Sequence, residues 1–260
     1  MAFSDEELDR YARHIILREV GGPGQQRLKA AKVLVVGAGG LGAPALLYLA
    51  AAGVGRIGIV DDDVVDLSNL QRQVIHGVAD IGTQKTDSAA TAIAAINPNV
   101  EVVPHTLRLS PANVDSIVNQ YDLILDGTDN FDTRYAINAA CVGAEKPLVA
   151  AAIAQWEGQI SLYHPANGAP CYACVFPQAP ADGLAPSCAE AGVLGALAGV
   201  IGSMMAVEAV KHITGAGQTL AGKMALYDAL WGENRTLTID RNPACPVCGE
   251  QRHAVQSGEM

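Results

Sequence analysis

The turn at residues 37–42 has the composition of a phosphate-binding loop. An apolar run, Lys32–Val36, leads directly into the pattern Gly37-x-Gly39-x-x-Gly42. Glycines at this spacing let the backbone turn tightly and approach phosphate groups, and the following helix offers unpaired N–H groups in its first turn. The pattern predicts a nucleotide site, with a purely structural glycine turn as the alternative.

An acidic cluster follows the next apolar run. Arg56–Val60 is typical of a second buried strand, and it ends at Asp61, Asp62 and Asp63. A carboxylate at the end of this strand, here Asp61, can accept hydrogen bonds from the ribose hydroxyls of a nucleotide. A solvated acidic turn is the alternative, and an NAD-dependent dehydrogenase would carry the same glycines and acid.

Cationic and amide side chains between residues 66 and 85 favour ATP over a nicotinamide cofactor. Asn69 and Arg72 lie in one polar segment, Asp66–Gln73, and Lys85 follows near the start of the next helix. Positive charge here suits a triphosphate and a developing pyrophosphate, whereas hydride transfer has little use for it. For Arg72 or Lys85 considered alone, an ordinary surface charge is an equally good interpretation.

A third polar cluster, residues 128–130, follows the strand predicted at Tyr121–Leu125. Ligands of open α/β sheets bind at the carboxyl ends of the strands, so the clusters that follow the three strands are expected to line one crevice. Asp129 then provides the hard oxygen ligand that Mg²⁺ prefers. A helix N-cap is the alternative role of Asp129, and the two roles are compatible.

Two C-x-x-C pairs, Cys171 with Cys174 and Cys245 with Cys248, are widely separated in the sequence. Four thiolates complete the tetrahedral shell of a structural Zn²⁺ ion, and the metal would tie the end of the chain back onto the sheet. A redox pair is the alternative. Disulfide bonds are not expected, because the acidic segment at residues 1–10 does not resemble a secretory signal.

The two remaining cysteines differ in their surroundings. Cys141 lies in an apolar helical segment and is expected in the core. Cys188 follows a proline-rich loop predicted at 175–187, where an accessible thiolate would be reactive. An unreactive loop cysteine is the alternative for Cys188.

Apolar runs alternate with helical segments along the first 145 residues. The predicted strands are Lys32–Val36, Arg56–Val60, Val100–Val103, Leu107–Leu109 and Tyr121–Leu125, and the predicted helices are Ala43–Ala52, Thr83–Ile96, Pro111–Gln120 and Asp132–Gly143. This alternation implies an α/β fold with a doubly wound, Rossmann-like, mostly parallel sheet. Two later strands, Pro147–Ile153 and Gln159–Tyr163, are joined by a short turn, which predicts an antiparallel extension of that sheet.

We expect one domain over residues 1–260: N-terminal helices at 1–30, a nucleotide-binding core at 31–145, and a third part at 146–260. A capping box formed by Ser4 and Glu7 predicts the first helix, and a turn at Gly21–Gly24 precedes a short helix at Gln25–Ala31. The uncharged segment Ala191–Val207 is slightly too short for a membrane span and rich in glycine, which favours a buried helix. The third part ends in a short tail rich in strands and the second cysteine pair.

Composition excludes several classes of function. The net charge of −10 argues against binding to nucleic acid or to an anionic membrane, since both require a basic surface. An apolar content of 50% excludes intrinsic disorder. The protein is expected to be cytoplasmic, without a membrane partner.

With these motifs in place, the sequence resembles the ThiF/MoeB/HesA family, the bacterial relatives of ubiquitin-activating E1 enzymes. The resemblance extends over nearly the whole chain, and its most specific parts are Gly37–Gly42, Ser68–Gln73, Asp126–Asn130 and the paired cysteines. Smaller motifs, among them Glu157-Gly158-Gln159, are closest to MoeB-type molybdopterin-synthase adenylyltransferases. The resemblance implies ATP-dependent adenylation of a small ubiquitin-like sulfur-carrier protein at its C-terminal Gly-Gly carboxylate, which yields an acyl-adenylate and pyrophosphate before thiocarboxylate formation.

The family's residue roles transfer to matching positions. The glycine loop, including Gly40, would hold the phosphates and Asp61 the ribose. Arg72 and Lys85 would neutralise phosphate charge and Asp129 would bind Mg²⁺. The remaining implied nucleotide contacts are Asp63, Asn69 and Asn130. Cys188 matches a cysteine that thiamine-pathway relatives use in sulfur transfer.

The resemblance also implies partners. Arg13 would enter the active site of a neighbouring subunit, which requires a homodimer. The sulfur donor is expected to be a separate sulfurtransferase, because no rhodanese-like sequence follows the second cysteine pair. Molybdopterin biosynthesis is the expected pathway, with the thiamine-pathway carrier as the alternative. Two remoter alternatives are an NAD-dependent oxidoreductase and a non-catalytic partner similar to the inactive half of a heterodimeric E1.

Overall fold

One eight-stranded sheet carries helices on both faces in the computed structural model, which describes residues 3–180 and 191–249. The strands are β1 (Lys32–Val36), β2 (Arg56–Val60), β3 (Glu101–His105), β4 (Leu123–Asp126), β5 (Leu148–Ala154), β6 (Glu157–Tyr163), β7 (Lys223–Asp228) and β8 (Glu233–Thr238). The helices are α1 (Asp5–Ile15), α2 (Gly21–Ala30), α3 (Gly42–Ala52), α4 (Lys85–Ile96), α5 (Val114–Val118), α6 (Phe131–Gly143), α7 (Tyr172–Val175) and α8 (Gly195–Thr214).

The sheet order is β3-β2-β1-β4-β5-β6-β7-β8, which confirms the predicted mostly parallel sheet with an antiparallel extension. The five strands from β3 to β5 are parallel, whereas β5 to β8 form an antiparallel meander. The chain moves outward in one direction from β1 to β3 and then crosses back to β4. The border between β1 and β4 is therefore the point of the sheet where a crevice opens at the strand ends.

The core consists of two apolar layers, because successive side chains of a buried strand point to opposite faces. Val33 and Val35 of β1 face a layer built with α3, α4 and α8, and Leu34 and Val36 face a second layer built with α5 and α6. Helices on both faces are the arrangement that the alternating pattern predicts.

Helix α8 is long and apolar enough to cross a membrane by length and composition alone, with a mean hydropathy of 1.3. It packs over the sheet and against α3, and Leu197, Ile201 and Met205 are fully buried. The contact with α3 is close at Gly202, where a Cβ atom would lie 2.3 Å from the carbonyl oxygen of Leu41. This packing supports the expectation of a buried core helix, although the helix begins at Gly195 rather than at Ala191.

Several predicted boundaries were wrong. Residues Gly21–Gly24 form the first turn of α2 rather than a separate turn, since Pro23 is tolerated at the start of a helix. Leu107–Leu109 is not a strand, and the segment Pro111–Gln120 contains only the short helix α5. The capping box at Ser4 and the antiparallel pair β5–β6 are confirmed.

Candidate nucleotide-binding site

A large crevice of about 1280 Å³ opens at the carboxyl ends of β1, β2 and β4. Its lining includes most of the residues that the sequence marks as candidates for nucleotide and magnesium binding: Gly37, Gly39, Gly40, Asp61, Asp63, Asn69, Arg72, Lys85, Asp129 and Asn130. Residues that are far apart in the sequence therefore meet at the border between β1 and β4. This is the single crevice that the three polar clusters predict.

The glycine loop requires glycine for two different reasons. Gly37 has a φ angle of +91°, a conformation that side chains with a Cβ atom rarely adopt. Gly42 does not line the crevice; a Cβ atom there would lie only 1.8 Å from the carbonyl oxygen of Gly37. The first glycine thus shapes the turn, and the last lets α3 begin directly behind it.

The half-buried Asp61 and the buried His76 fix the peptide groups of Ala38 within this loop. Asp61 Oδ2 accepts a hydrogen bond from the Ala38 N–H at 2.8 Å, and His76 Nε2 lies 3.0 Å from the Ala38 carbonyl oxygen. Ser88 Oγ lies 2.8 Å from His76 Nδ1. His76 is not among the predicted site residues, and the structure places it behind the phosphate-binding loop.

Burial controls the charge of both groups. It raises the pKa of Asp61 above its ordinary value, against the opposing effects of the Lys85 cation and of the N–H groups of Asp63 and Ala38. Burial lowers the pKa of His76, and the positive charge of Lys85 acts in the same direction. Neutral His76 can donate Nε2–H to the Ala38 carbonyl while Nδ1 accepts from Ser88.

Lys85 is the first residue of α4 and is buried at the crevice wall. Its Nζ atom lies 2.7 Å from Asp63 Oδ2, and its backbone N–H donates to the Asp63 carbonyl at 3.0 Å. The pair links the end of β2 to the start of α4. The Asp63 carboxylate is mostly exposed, so the Lys85 ammonium that contacts it lies at the edge of the crevice. From there the ammonium can move toward an anionic ligand without crossing the protein interior.

Asn69 and Arg72 belong to a short polar segment stabilised by its own hydrogen bonds. Asp66 caps a turn of 3-10 helix at Leu67–Asn69, and Asn69 Oδ1 accepts from the Asp66 N–H at 3.1 Å. Arg72 Nη1 donates to the Ser68 carbonyl at 3.1 Å and is exposed toward the crevice. The segment presents a guanidinium and an amide beside the glycine loop.

Asp129 lies exposed in the crevice between two residues with fixed positions. Asp126 Oδ1 accepts hydrogen bonds from the N–H and the hydroxyl of Thr128, and Asn130 caps α6 by accepting from the Thr133 N–H at 3.0 Å. Asn130 is therefore the N-cap, and the N-cap interpretation of Asp129 was wrong. The Asp129 carboxylate points into the crevice as a candidate oxygen ligand.

Three further residues lining the crevice were not among the predicted site residues: Gln73, Thr128 and Arg134. Arg134 is nine-tenths buried, and its guanidinium donates to the backbone carbonyl groups of Thr128 and Ala151. Gln73 also is buried, and its Oε1 atom has no hydrogen-bond partner among the described residues. Gln73 stands in the quoted polar motif, so its position in the sequence was a usable signal; Arg134 gives no comparable signal.

Arg13 is exposed on α1 and does not line the crevice of its own chain. Its predicted role at the site therefore stays a prediction. Cys188 lies outside the described residues, so its predicted reactivity also stays a prediction.

The four paired cysteines meet in one buried cluster. The described sulfur–sulfur distances are 3.6 Å between Cys171 and Cys245, 3.4 Å between Cys174 and Cys248, and 3.9 Å between Cys171 and Cys174. A tetrahedral Zn²⁺ ion with bonds of about 2.3 Å separates its thiolates by about 3.8 Å, so the donor set and its spacing fit zinc.

Neighbouring N–H groups point at these sulfurs. Asn138 Nδ2 donates toward Cys171 Sγ at 3.8 Å, and the Asn242 backbone N–H donates to Cys174 Sγ at 3.4 Å. Such contacts stabilise thiolates and orient them around a metal ion. Cys141 lies apart, buried in the core as predicted.

Beyond the nucleotide-sized region, the crevice continues across the antiparallel strands. Gln159 of β6, Tyr227 of β7 and Arg235 of β8 line this extension, which ends near turns that carry the exposed Trp156 and Trp231. An extended groove between a phosphate-binding loop and exposed aromatic side chains can hold a peptide segment.

The sequence matches the model of the ThiF family over residues 11–247. The chain belongs to the ThiF family. This membership agrees with the motifs at the glycine loop, the polar segment after β2 and the end of β4.

Curated ThiF-family relatives are similar over almost the whole chain. MoeZ of Mycobacterium tuberculosis, a probable adenylyltransferase/sulfurtransferase, is 56% identical over 252 residues, covering 96% of this chain and 64% of the relative. The sulfur carrier protein adenylyltransferase of Thermus thermophilus is 51% identical over 255 residues, covering 96% of this chain and 94% of the relative. The chain thus spans 64% of the first relative's length.

Solved structures support the same fold. The crystal structure of PaaA superposes with a TM-score of 0.79 at 26% identity and covers 92% of this chain and 76% of PaaA. Escherichia coli MccB, crystallised with MccA-N7isoASN, gives a TM-score of 0.83 at 24% identity and covers 95% of this chain and 76% of MccB. The second comparison concerns the fold alone.

Proposed function

We propose that this ThiF-family protein uses ATP to adenylate the C-terminal carboxylate of a small ubiquitin-like sulfur-carrier protein that ends in Gly-Gly. The observation that carries the proposal is the crevice at the β1–β4 border, where Asp61, Lys85, Arg72 and Asp129 surround the glycine loop. The Thermus thermophilus relative is named a sulfur carrier protein adenylyltransferase, which supports the same substrate class.

Each residue has a role that follows from its chemistry. Asp61 would accept the ribose hydroxyls, and the loop N–H groups would face the phosphates. Lys85 and Arg72 would stabilise the negative charge that develops as pyrophosphate leaves. Mg²⁺, held by Asp129, would neutralise phosphate charge and help to orient the triphosphate.

The reaction needs no nucleophile from the protein. The carrier carboxylate attacks the α-phosphorus of ATP, the bond to the β-phosphate oxygen breaks, and an acyl-adenylate and pyrophosphate result. Both reactants are anions, so positioning and positive charge lower the barrier. The groove across β6–β8 supports this assignment, because it could hold the extended Gly-Gly tail with its carboxylate beside the nucleotide.

An NAD-dependent oxidoreductase is disfavoured by the residues that surround the loop. The cationic side chains of Lys85 and Arg72 match a triphosphate, and the candidate metal ligand Asp129 has no use in hydride transfer. These same residues argue against a non-catalytic partner subunit. For the pathway, we propose molybdopterin biosynthesis, with the thiamine-pathway carrier as the second candidate and a separate protein as the sulfur donor.

We further propose one structural Zn²⁺ per chain at the four-cysteine cluster. The tetrahedral spacing of the thiols and the N–H groups directed at them support this assignment. Four sulfur ligands close the coordination shell, so the metal would contribute to folding rather than to chemistry. Metal analysis of protein purified without chelators should find zinc and chain in equal amounts, and a metal-free folded protein would contradict the assignment.

The decisive experiment is ATP–pyrophosphate exchange with Mg²⁺ and purified carriers of the molybdopterin and thiamine types. We expect exchange that depends on one carrier and stops when its terminal glycine is deleted. Exchange with one carrier alone would also identify the pathway. A folded, zinc-loaded protein that supports no exchange with either carrier would contradict the proposed substrate.

A further inference from the structure

Arg134, in the first turn of α6, joins two parts of the crevice wall. One of its terminal nitrogen atoms, Nη2, donates to the Thr128 carbonyl and, at 2.8 Å, to the Ala151 carbonyl on β5. The side chain is nine-tenths buried and lines the crevice. A single guanidinium therefore holds the loop after β4 against the neighbouring strand.

The charge of Arg134 is not matched by an ion pair. Within residues 3–180 and 191–249, no carboxylate lies within 4 Å of its guanidinium nitrogens. Burying a cation without an ion-pair partner is unfavourable, so the dipoles of the Thr128 and Ala151 carbonyl groups must compensate for its charge. A charge kept at such a position indicates a role that an apolar side chain could not fill.

The Thr128 carbonyl belongs to the peptide bond that leads into Asp129. Thr128 is held on its other side by Asp126, which accepts from its N–H at 2.9 Å and its hydroxyl at 2.6 Å. Asn130, on the far side of Asp129, is fixed as the cap of α6. Every neighbour of Asp129 is thus anchored, while its own carboxylate makes no hydrogen bond to the described residues and remains available for a ligand.

We propose that Arg134 is a positioning residue that fixes the Asp129 carboxylate for the magnesium–ATP complex. This inference rests on the proposed function, because it assigns a task at the same site. Arginine suits the task since the two N–H groups of Nη2 are held in the guanidinium plane and serve carbonyls on two different elements. The ammonium of lysine is more strongly hydrated and its donors rotate freely, so it should hold the two carbonyls less firmly. Arg134 acts through Asp129 and need not touch the nucleotide.

The test is equilibrium binding of ATP by calorimetry, with and without Mg²⁺, to Arg134→Met and Arg134→Lys. Loss of a residue that orients a metal-binding carboxylate costs about 10–100-fold in metal affinity. We define the Mg²⁺ gain as the ratio of the affinity for ATP with Mg²⁺ to the affinity without it. We expect Arg134→Met to bind metal-free ATP with nearly wild-type affinity and to show an Mg²⁺ gain that is smaller by a factor of about ten or more. Arg134→Lys should recover part of that gain.

Two comparisons separate positioning from a general structural effect. Arg27→Met removes another guanidinium that holds a backbone carbonyl, at Thr214 and away from the crevice, and should leave the Mg²⁺ gain unchanged. In an Asp129→Ala background, Arg134→Met should have no further effect on this gain, because its target is gone.

The outcomes distinguish the inference from the proposed function. If the wild-type protein binds no ATP, the proposed function fails. If it binds ATP and Arg134→Met or Arg134→Lys keeps the full Mg²⁺ gain, the positioning role is overturned. Should Arg134→Met fail to fold, Arg134→Lys decides the matter: a weakened gain supports the role, and a full gain refutes it.

Discussion

At the scale of single residues, the crevice depends on Asp61, a carboxylate whose pKa is raised by burial. Asp61 must be ionised to accept hydrogen bonds from the N–H groups of Ala38 and Asp63 and, in the proposed function, from ribose. Because burial raises its pKa, Asp61 becomes protonated at a higher pH than an exposed aspartate with a pKa of about 3.9. Acidification should therefore impair this residue before it affects the exposed aspartates.

The first prediction concerns this pH dependence. As the pH falls toward the raised pKa of Asp61, the carboxylate gains a proton and the affinity for ATP should decrease. Asp61→Asn should bind ATP more weakly at neutral pH, and its affinity should lack that decrease. ATP titrates identically in both experiments, so the ratio of the two dissociation constants isolates the protein group. A ratio that does not change between neutral and acidic pH would contradict the prediction.

Residue types explain which members of the site could be predicted from sequence. Gly37, Asp61 and Lys85 are recognisable because they stand at fixed distances from strand ends within short motifs. His76 and Arg134 contact backbone carbonyl groups of other elements. Every residue has a backbone carbonyl group, so the sequence does not show which one will be the acceptor. Only the folded chain reveals such partners.

At the scale of secondary structure, the loop between β1 and α3 requires close approach of two backbone segments. The second prediction is that Gly42→Ala destabilises the protein strongly, since the added Cβ would lie 1.8 Å from the Gly37 carbonyl oxygen. We expect a loss of several kcal/mol in the free energy of unfolding, in the range of severe core substitutions of about 4 kcal/mol or more.

Gly22→Ala is the matched control for this substitution. Gly22 lies in α2, and a Cβ there meets no atom within 4 Å. Denaturant unfolding of both variants measures the difference, and the control should be neutral or slightly stabilised because alanine favours helix. Equal unfolding midpoints for Gly42→Ala and the wild type would show that the loop is not constrained as described.

Helix α6 connects the crevice to the cysteine cluster. Asn130 is its N-cap, and Asn138 lies about two turns further along the helix. Asn138 is buried; its amide donates toward Cys171 Sγ, and its Oδ1 accepts from the Tyr172 N–H at 2.9 Å. The third prediction is that Asn138→Asp weakens the proposed zinc site. The substitution keeps an acceptor for Tyr172 but replaces the N–H donor near the thiolates with negative charge.

Transfer of zinc to a chromogenic chelator measures this effect without an activity assay. Removal of an outer hydrogen bond typically lowers metal affinity about 10–100-fold, so faster or more complete transfer is expected from Asn138→Asp. Asn167→Asp, an exposed change away from the cluster, is the control. Zinc retention identical to that of the wild type would exclude a role for Asn138 at this site.

The elements themselves were predicted unevenly, for physical reasons. Strands β1 and β2 match their predicted ranges because uninterrupted apolar runs between polar residues allow one interpretation. Leu107–Leu109 also carries two leucines at strand spacing, on either side of Arg108, yet this segment follows β3 as an irregular part of the crevice wall. Its apolar side chains serve the crevice and the second core layer rather than a strand, and local composition cannot separate these uses.

At the scale of the whole molecule, two groups of exposed apolar side chains among the described residues bear on assembly. The outward side of α3 and α8 exposes Tyr48, Val200 and Val207, and the end of α1 exposes Ile16 and Leu17 close to Arg13. Exposed apolar groups of this kind mark surfaces for protein association. Together with the absence of Arg13 from the lining of its own crevice, they agree with the homodimer that the family resemblance implies, which stays a prediction.

The fourth prediction tests whether Arg13 completes the crevice of the neighbouring subunit. Arg13→Ala and Asp129→Ala should each lose adenylation as pure proteins. When equal amounts of the two are unfolded and refolded together, half of the dimers are mixed. Each mixed dimer then contains one crevice with both Asp129 and the neighbour's Arg13, so about a quarter of wild-type activity should return.

A contribution of Arg13 within its own chain gives a different result. The mixed dimer would then contain no complete crevice, because one subunit lacks the arginine and the other lacks the aspartate. Two affinity tags, one on each variant, allow the mixed dimers to be isolated and their exchange activity measured. Isolated mixed dimers without activity would refute the sharing of Arg13 between subunits, whereas half-active dimers would establish that each site is built from two chains.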